Sequence, residues 1–223
     1  MKLLITGGAG FLGDRLARAL LARGTLAGQA IKRVVLTDIA PPRPDLLVDA
    51  RVQARTGPLL THTDALREDN FDGVFHLASA VSDECEADFD LGLRSNLDST
   101  RALLDALRFN VNAGGKAARL VFSSSVAVFG PDPAVPLPSV VADDTLPAPQ
   151  TSYGTQKLIC EHLVADYTRK GYIDGRVGAE DGDRTREHHT RCLATGVHVE
   201  AQRVEQGAGA VEVGTQADRK SVV

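Results

Sequence analysis

The feature that most constrains the fold of this chain is a glycine-rich turn near its N-terminus, at residues 6–13 (TGGAGFLG). The turn follows a short apolar run at residues 3–6 and precedes residues 14–23, where apolar side chains recur at helical spacing. This pattern predicts a buried strand, a tight turn and a helix. A turn in this setting is typical of a site that binds the pyrophosphate of a dinucleotide. The alternative is a glycine-rich connector without a ligand.

The glycines of the turn have separate expected tasks. Gly7 permits the sharp change of direction, Gly10 lets the backbone approach the pyrophosphate, and Gly13 allows the helix to pack closely. Phe11 and Leu12 open the helix. We therefore expect both to belong to the same cofactor site, because the N–H groups of a helix N-terminus attract anions.

Further apolar runs alternate with helical patterns along the chain. Strands are predicted at residues 34–37, 51–55, 73–78 and 120–123, and helices at residues 64–69, 84–108 and 153–170. The alternation predicts an α/β fold, a doubly wound parallel sheet of the Rossmann type. We expect this dinucleotide-binding domain to cover residues 1–176.

The last part of the chain has a different composition. Residues 177–223 contain one leucine, Leu193, and no Ile, Met, Phe, Tyr or Trp. Little apolar surface is therefore available to offset the entropy lost on ordering. We expect this segment to be disordered, or to be mistranslated, because its end matches the translation of a widely used sequencing adapter.

Composition argues against several classes of function. A formal net charge of -4 and the lack of a basic run disfavour nucleic acid and membrane surfaces as partners, so a small-molecule substrate is expected. Three cysteines at irregular spacing do not form a disulfide framework, which fits a cytoplasmic location. His188 and His189 with Cys192 lack a fourth ligand at a suitable spacing, so no metal site is expected.

Asp38 ends the second predicted strand, where a carboxylate can accept hydrogen bonds from an adenosine ribose. The same charge would repel a 2′-phosphate, so NAD is favoured over NADP. The alternative role of Asp38 is a helix or turn cap, which is common for Asp at strand ends.

Tyr153 and Lys157 open the last predicted helix and lie four residues apart on one of its faces. A neighbouring ammonium lowers the pKa of a phenol, which would let Tyr153 remove the proton of an alcohol. This spacing occurs by chance in many helices. Here it follows a strand that ends in Ser124 and Ser125, and Ser125 could hydrogen-bond the same substrate oxygen. Ser124 is the weaker candidate.

Taken together, these motifs resemble the extended short-chain dehydrogenase/reductase family, which includes NAD-dependent sugar epimerases and dehydratases. The matching pieces run in family order: residues 6–13, Asp38, residues 76–80 (HLASA), Asn96, residues 122–130 (FSSSVAVFG) and residues 152–157 (SYGTQK). The resemblance implies an oxidoreductase with NAD as its cofactor.

The resemblance also implies a role for each matching side chain. Tyr153 would be the general base or acid, Lys157 would lower its pKa and hold the nicotinamide ribose, and Ser125 would orient the substrate hydroxyl. Asn96 would support the site from the long helix. The cofactor groove would be lined by Leu77 and Ala78.

Within that family, residues 86–98, 125–130 and 150–153 are most similar to the D-erythronate dehydrogenases. The implied function is NAD-dependent oxidation of a secondary alcohol of a sugar acid. Two alternatives stay open: a nucleotide-sugar epimerase or dehydratase, and a truncated, non-catalytic NAD-binding protein. The second arises because the residues after Arg176 do not match the family, which implies that the next strand and the C-terminal substrate lobe are missing. Pro58 is another departure, since family members usually carry an acidic residue there, near the adenine.

Two of the predicted helices carry more apolar residues than one inward face requires. These residues are Leu97, Leu103, Leu104 and Leu107 on the first helix, and Leu158, Ile159, Leu163 and Val164 on the second. Family members commonly pair through these two helices, so the resemblance implies a homodimer. The alternative is that all of these side chains face the sheet.

Overall fold

The structure is a computed structural model that describes residues 1–130, 141–142 and 145–180, with side chains to residue 178. Its elements are, in chain order, β1 (Lys2–Thr6), α1 (Phe11–Arg23), β2 (Thr25–Leu26), β3 (Gln29–Ala30), β4 (Arg33–Asp38), β5 (Val52–Thr56), α2 (Thr63–Glu68), β6 (Gly73–His76), α3 (Ser82–Ala87), α4 (Phe89–Gly92), a π-helix (Leu93–Asp98), α5 (Ser99–Asn112), β7 (Ala118–Ser125), α6 (Ser152–Arg169) and β8 (Ile173–Glu180). Short 3-10 turns lie at Leu46–Val48, Leu59–His62 and Val126–Val128.

Six strands form one sheet in the order β5-β4-β1-β6-β7-β8, and every neighbouring pair is parallel. The predicted doubly wound α/β fold of the Rossmann type is confirmed. The strand order reverses between β1 and β6, because the chain builds outward from β1 first in one direction and then in the other. Ligands of such sheets bind at this reversal, beyond the carboxyl ends of the strands.

The sheet carries a hydrophobic core on each face. One cluster joins the sheet to α2, α5 and α6, and includes Leu103, Leu120 and Phe122. The other joins it to α1, and includes Leu3 and Ile5. The alternating side chains of β1 therefore serve both cores, as expected for a central parallel strand.

The predicted helix at residues 84–108 is not continuous. Asp88 has an extended backbone (φ -137°, ψ 96°), and its side chain accepts a hydrogen bond from Leu91 N–H, which starts a new helix. The π-helix Leu93–Asp98 then adds a second irregularity before α5. The apolar periodicity of the segment could not reveal either feature, because the first depends on a side-chain cap and the second on the backbone hydrogen-bond pattern of the π-helix.

Strand β8 corrects the expectation that the sheet gains no further strand near Arg176. Residues Ile173–Glu180 pair in parallel with β7 along its whole length. Its glycines hid the strand from sequence analysis, since glycine is depleted in strands. Gly175 has a structural reason: a Cβ there would lie 2.8 Å from the Val164 side chain, so α6 packs closely on this strand. The prediction of disorder for the rest of the tail concerns residues outside the described part of the chain.

Half of the eight helix side chains that suggested a dimer have another role. Four of them are buried in the core of a single chain: Leu103, Leu104, Leu107 and Val164. The prediction that they form an interface between copies is wrong, because they already pack against the sheet. Ile159 is 39% exposed, while Leu97, Leu158 and Leu163 are partly exposed.

Candidate active site

The glycine turn connects β1 to α1 at the carboxyl edge of the sheet. Gly7 adopts a φ of 70°, which side chains other than glycine seldom tolerate. A Cβ on Gly13 would overlap the Gly7 carbonyl oxygen, so the helix can approach the turn only because residue 13 is glycine. Gly10 is exposed and forms the N-cap of α1. Gly7 and Gly13 therefore have the local geometry that the sequence predicted, while the approach of Gly10 to a pyrophosphate stays a prediction.

The N-terminus of α1 suits an anionic ligand. Within the described residues no side chain caps this helix, so its first N–H groups and partial positive charge face the turn. Phe11 is 73% exposed and Leu12 is 41% exposed, and Ile39 beside the end of β4 is also exposed. Exposed apolar side chains beside a helix N-terminus fit a dinucleotide, whose rings can cover them.

Asp38 lies at the end of β4 and connects two parts of the groove. Its Oδ2 accepts a hydrogen bond from Ala9 N–H (2.9 Å), and its Oδ1 accepts one from Ala40 N–H (3.2 Å). The Asp38 carboxylate thus caps the turn after β4, which was the alternative role predicted for it. It also binds the glycine turn through Ala9 N–H. An ionised carboxylate offers about four acceptor positions, so these two bonds are compatible with further bonds to a ribose.

The segment after β6 packs directly against the glycine turn. Thr6 Oγ1 accepts hydrogen bonds from both Leu77 N–H and Ala78 N–H (3.1 Å each). A Cβ on Gly7 would lie 2.9 Å from the Ala78 nitrogen, so the two backbones are in close contact. Leu77 and Ala78 are thereby brought to the groove as predicted, although their contact with a cofactor stays a prediction.

His76 continues this network into the core, and sequence analysis assigned it no role. Thr100 Oγ1 donates to the Asn96 carbonyl (2.5 Å) and accepts from His76 Nε2–H (2.8 Å). Nδ1 of His76 must then accept, and its donor is Thr6 Oγ1 (2.7 Å). Burial, together with the charge of Lys157, lowers the pKa of His76 to about 3. The imidazole is therefore neutral and links β1, β6 and α5.

Asn96 lies in the π-helix and is only 3% exposed. Its Oδ1 accepts hydrogen bonds from Ala80 N–H (2.7 Å) and Ser79 Oγ (3.0 Å), while its Nδ2 donates to Gln156 Oε1 (2.8 Å). Every polar atom of this side chain has a partner in the protein. The arrangement fits the predicted supporting role better than direct contact with a substrate or cofactor.

Lys157 is almost completely buried, with 3% of its surface exposed, and several contacts fix its position. Its Nζ donates to the Ser123 carbonyl (2.8 Å) and lies 5.0 Å from the ring centroid of Phe122 and 5.5 Å from that of Tyr153. Cation–π contacts and a carbonyl acceptor offset part of the cost of burying an ammonium group. Tyr153 is half-buried. The structure thus brings together the two side chains that the helix spacing paired.

Two hydrogen bonds anchor the first turn of α6, which carries Tyr153. The N-cap Thr151 accepts from Gly154 N–H (3.0 Å), and Glu86 accepts from Ser152 N–H (2.7 Å). A Cβ on Gly154 would overlap the Ala127 carbonyl oxygen, so the helix begins in contact with the segment that follows β7. Glu86 contributes from α3, a contact that the sequence did not predict.

The two candidate serines at the end of β7 differ in environment. Ser124 is buried, and its hydroxyl donates to Glu161 of α6. Ser125 is half-buried, and its Oγ accepts from Ala127 N–H (3.2 Å). Ser124 is thus committed to Glu161, which favours Ser125 as the serine near the substrate. The helical spacing of Lys157 and Glu161 could have indicated that both face β7.

Cys85 and Cys160 are free, buried thiols whose pKa values are raised by burial. No cluster of three or more potential metal ligands occurs among the described side chains. The arrangement of His188, His189 and Cys192 lies outside the described residues. Within the described part of the chain, no helix combines the length and apolarity needed to cross a bilayer.

Comparison with known proteins identifies similar sequences and structures. Residues 3–191 match the model of the NAD dependent epimerase/dehydratase family. The chain is 53% identical over 184 residues to D-erythronate dehydrogenase of Cupriavidus necator and 42% identical over 180 residues to that of Haemophilus influenzae. Each match covers 79% of this chain and 53% of the relative. This chain therefore spans about half the length of the curated relatives it matches.

A solved structure with 41% sequence identity is the nucleoside-diphosphate-sugar epimerase from Agrobacterium tumefaciens, with a TM-score of 0.76. The match covers 85% of this chain and 55% of that protein. A second solved structure, MoeE5 in complex with UDP-glucuronic acid and NAD, is 30% identical with a TM-score of 0.63. That match covers 80% of this chain and 53% of the other.

Proposed function

Because the chain belongs to the NAD-dependent epimerase/dehydratase family, we propose that it carries the cofactor-binding and proton-transferring half of a dehydrogenase. The reaction is oxidation of a secondary alcohol of a sugar acid, as in the D-erythronate dehydrogenases that it resembles, and belongs to carbohydrate metabolism. The observation that carries the proposal is the placement of the buried Lys157 ammonium beside the Tyr153 ring, at the strand end that contains Ser125.

In the proposed reaction, the substrate hydroxyl gives its proton to the Tyr153 oxygen while the C–H bond of the same carbon breaks. NAD, when bound, accepts the hydride released from that carbon. Lys157 stabilises the phenolate form of Tyr153 by its charge and also binds the nicotinamide ribose. Ser125 donates to the substrate oxygen and orients it. The product is a ketone, and the proton later leaves Tyr153 for water.

The cofactor groove is assigned to the residues of the glycine turn and its neighbours. Gly7, Gly10, Phe11, Leu12 and Gly13 hold the pyrophosphate through backbone N–H groups and close packing. Asp38 selects NAD by accepting hydrogen bonds from the adenosine ribose. The remaining groove residues are Leu77, Ala78, Asn96, Tyr153 and Lys157, of which Asn96 acts as a support.

The experiment that tests the proposal measures NADH formation by the purified chain with D-erythronate. Appearance of NADH, and its loss in Tyr153→Phe, would support the dehydrogenase. A second arm supplies a nucleotide sugar, because the structure from Agrobacterium tumefaciens is named an epimerase. Epimer formation without net NADH would favour that alternative. Binding of NAD in calorimetry without turnover on either substrate would favour a non-catalytic NAD-binding protein.

We further propose that the protein is a cytoplasmic homodimer. The free thiols Cys85 and Cys160 fit a reducing compartment. The interface uses the outward faces of α5 and α6. On α6, Ile159 is exposed and Leu158 is partly exposed, while Leu163 also packs against the core. This apolar surface is smaller than the sequence indicated, because four of the expected side chains lie in the core. Neither nucleic acid nor a membrane is proposed as a partner.

A further inference from the structure

A buried glutamine lies between Tyr153 and Lys157 in α6. Gln156 is 2% exposed, and its Oε1 accepts a hydrogen bond from Asn96 Nδ2 (2.8 Å). Its Nε2 is buried and has no hydrogen-bond partner within the described part of the chain. A buried donor without a partner is costly, so the hydrogen bond at the other end of the amide, from Asn96 to Oε1, calls for a physical explanation.

The orientation of both amides follows from one backbone group. Ala80 N–H can only donate, so the atom of Asn96 that faces it must be the oxygen. The NH₂ group of Asn96 therefore faces Gln156, and the oxygen of the Gln156 amide must accept its hydrogen bond. Reversing Gln156 would place two NH₂ groups against each other. The bond between Gln156 and Asn96 thus fixes the Gln156 amide in the orientation that leaves its nitrogen without a partner.

Gly92 provides the space for this glutamine. A Cβ on Gly92 would lie 2.7 Å from Gln156 Nε2 and 3.1 Å from the Sγ of Cys85. Residue 92 ends α4 directly before the π-helix that carries Asn96. The glycine and the glutamine are therefore complementary in shape, and the irregular helix places Asn96 within reach of α6.

A continuous chain of contacts leads from Gln156 to the glycine turn. Asn96 Oδ1 holds Ser79 Oγ and Ala80 N–H, which belong to the segment that follows β6. The same segment contacts Gly7 through Ala78. Gln156 therefore joins the helix of Tyr153 and Lys157 to the segment that borders the nucleotide groove.

We propose that Gln156 is a positioning residue, which acts through Asn96 to hold residues 77–80 against the glycine turn and so sets the groove relative to Tyr153 and Lys157. This inference rests on the proposed NAD site. It extends that proposal, since Gln156 touches neither cofactor nor substrate and was not among the expected site residues.

The test compares Gln156→Met, which removes the acceptor at similar volume, with Gln156→Glu, which keeps an acceptor. Val164→Ala is the matched control, because Val164 is buried on the same helix but lies in the core away from Asn96. Two quantities are measured for each variant: hydrogen exchange of the Ala80 amide by NMR, and NAD affinity by calorimetry. The free energy of unfolding in urea corrects both for general destabilisation.

For Gln156→Met we expect faster exchange of the Ala80 amide and roughly three- to tenfold weaker NAD binding, the size of effect of one buried hydrogen bond. Gln156→Glu should recover most of the loss, and Val164→Ala should change neither quantity beyond its effect on stability. In an Asn96→Ala background, Gln156→Met should have little further effect on NAD binding, because the two residues act in series.

Unchanged exchange of Ala80 in Gln156→Met would overturn the proposal, as would additive effects in the double variant. Failure of the unmodified chain to bind NAD would instead refute the proposed function. The exchange of Ala80 decides the role of Gln156 in that case too, since it is measured without cofactor.

Discussion

At the scale of single residues, the candidate site contains two groups of side chains. One group reaches the groove, and the other is buried and supports the first by hydrogen bonds within the protein. Tyr153, Ser125 and Asp38 are partly exposed, whereas Asn96 and Gln156 are buried and fully or partly paired within the protein. Motif spacing predicted the first group because those residues carry the chemistry. In the second group, the family resemblance implied Asn96, whereas Gln156 and its bond to Asn96 became visible only when the fold brought these distant residues together.

Tyr153→Phe should leave NAD affinity nearly unchanged and lower turnover by several orders of magnitude. The hydroxyl takes part mainly in the transition state, while the ring that contacts Lys157 is retained. Steady-state kinetics and calorimetry check the two parts of this prediction. Tyr172→Phe is the matched control, because Tyr172 follows α6 and packs on Tyr167. A Tyr153→Phe protein with more than about a tenth of the original turnover would exclude Tyr153 as the base.

Asp38→Ala should weaken NAD binding roughly tenfold and narrow the preference for NAD over NADP, because hydrogen bonds to a charged carboxylate are lost. The substitution also removes the bond to Ala9 N–H, so Asp38→Asn is the informative companion. It keeps an acceptor for Ala9 N–H and removes the charge, although its NH₂ group cannot accept the bond from Ala40 N–H. Calorimetric titration with both cofactors checks the prediction. An original protein that binds NADP as well as NAD would contradict the role of Asp38.

At the scale of elements, the positions of strands and helices were largely predictable, and their interruptions were not. The predicted strands and most predicted helices are present, since apolar periodicity reports burial against a sheet. The hairpin of β2 and β3 is short and mostly exposed, which leaves no periodic signal. Strand β8 was missed because Gly175 and Gly178 dilute its pattern, although Gly175 is required for the approach of α6.

Gly154→Ala should destabilise the protein by about 1–3 kcal/mol, because the new Cβ overlaps the Ala127 carbonyl and the start of α6 must shift. Turnover should fall as well, since the neighbouring Tyr153 moves with the helix. Urea unfolding and kinetics measure the two effects. Thr155→Ala, at the next and exposed position, is expected to change stability by less than about 0.5 kcal/mol. Equal stability of the two variants would contradict the close packing of this helix start.

At the scale of the whole molecule, the buried His76 makes stability depend on pH. Its pKa is lowered to about 3 in the folded protein from an ordinary value near 6.5. The unfolded chain therefore binds more protons between these values, and stability falls as the pH drops through this window. One pKa unit corresponds to about 1.4 kcal/mol, so the loss reaches several kcal/mol at the acid end.

Urea unfolding at pH 7, 5 and 4 checks this acid sensitivity. Replacement of His76 by Gln should lower stability at pH 7 and flatten the decline toward acid, because no imidazole remains to be protonated. His162→Gln, at an exposed position of α6, should retain the steep decline of the original chain. A His76→Gln protein with the same acid slope as the original would show that other groups control the slope.

The quaternary structure is tested by light scattering at tens of micromolar protein. We expect a dimer, and Ile159→Arg should yield monomers because it places a charge in the proposed contact. Val48→Arg, at a position that is 84% exposed and outside both helices, should remain dimeric. A monomeric original chain would refute the interface, and in that event α5 and α6 serve the core alone.

The central place of β1 has a consequence for how the chain acquires its structure during synthesis. β1 is synthesised before both of the strands that flank it, β4 from Arg33 and β6 from Gly73. A tight hairpin cannot join parallel neighbours. β1 therefore has no paired strand on either side until the two long crossover connections have been synthesised. A nascent chain that ends before β6 keeps one edge of β1 open to pairing with other molecules. The same strand that orients the nucleotide turn in the finished protein is thus exposed to aggregation while the chain is still on the ribosome.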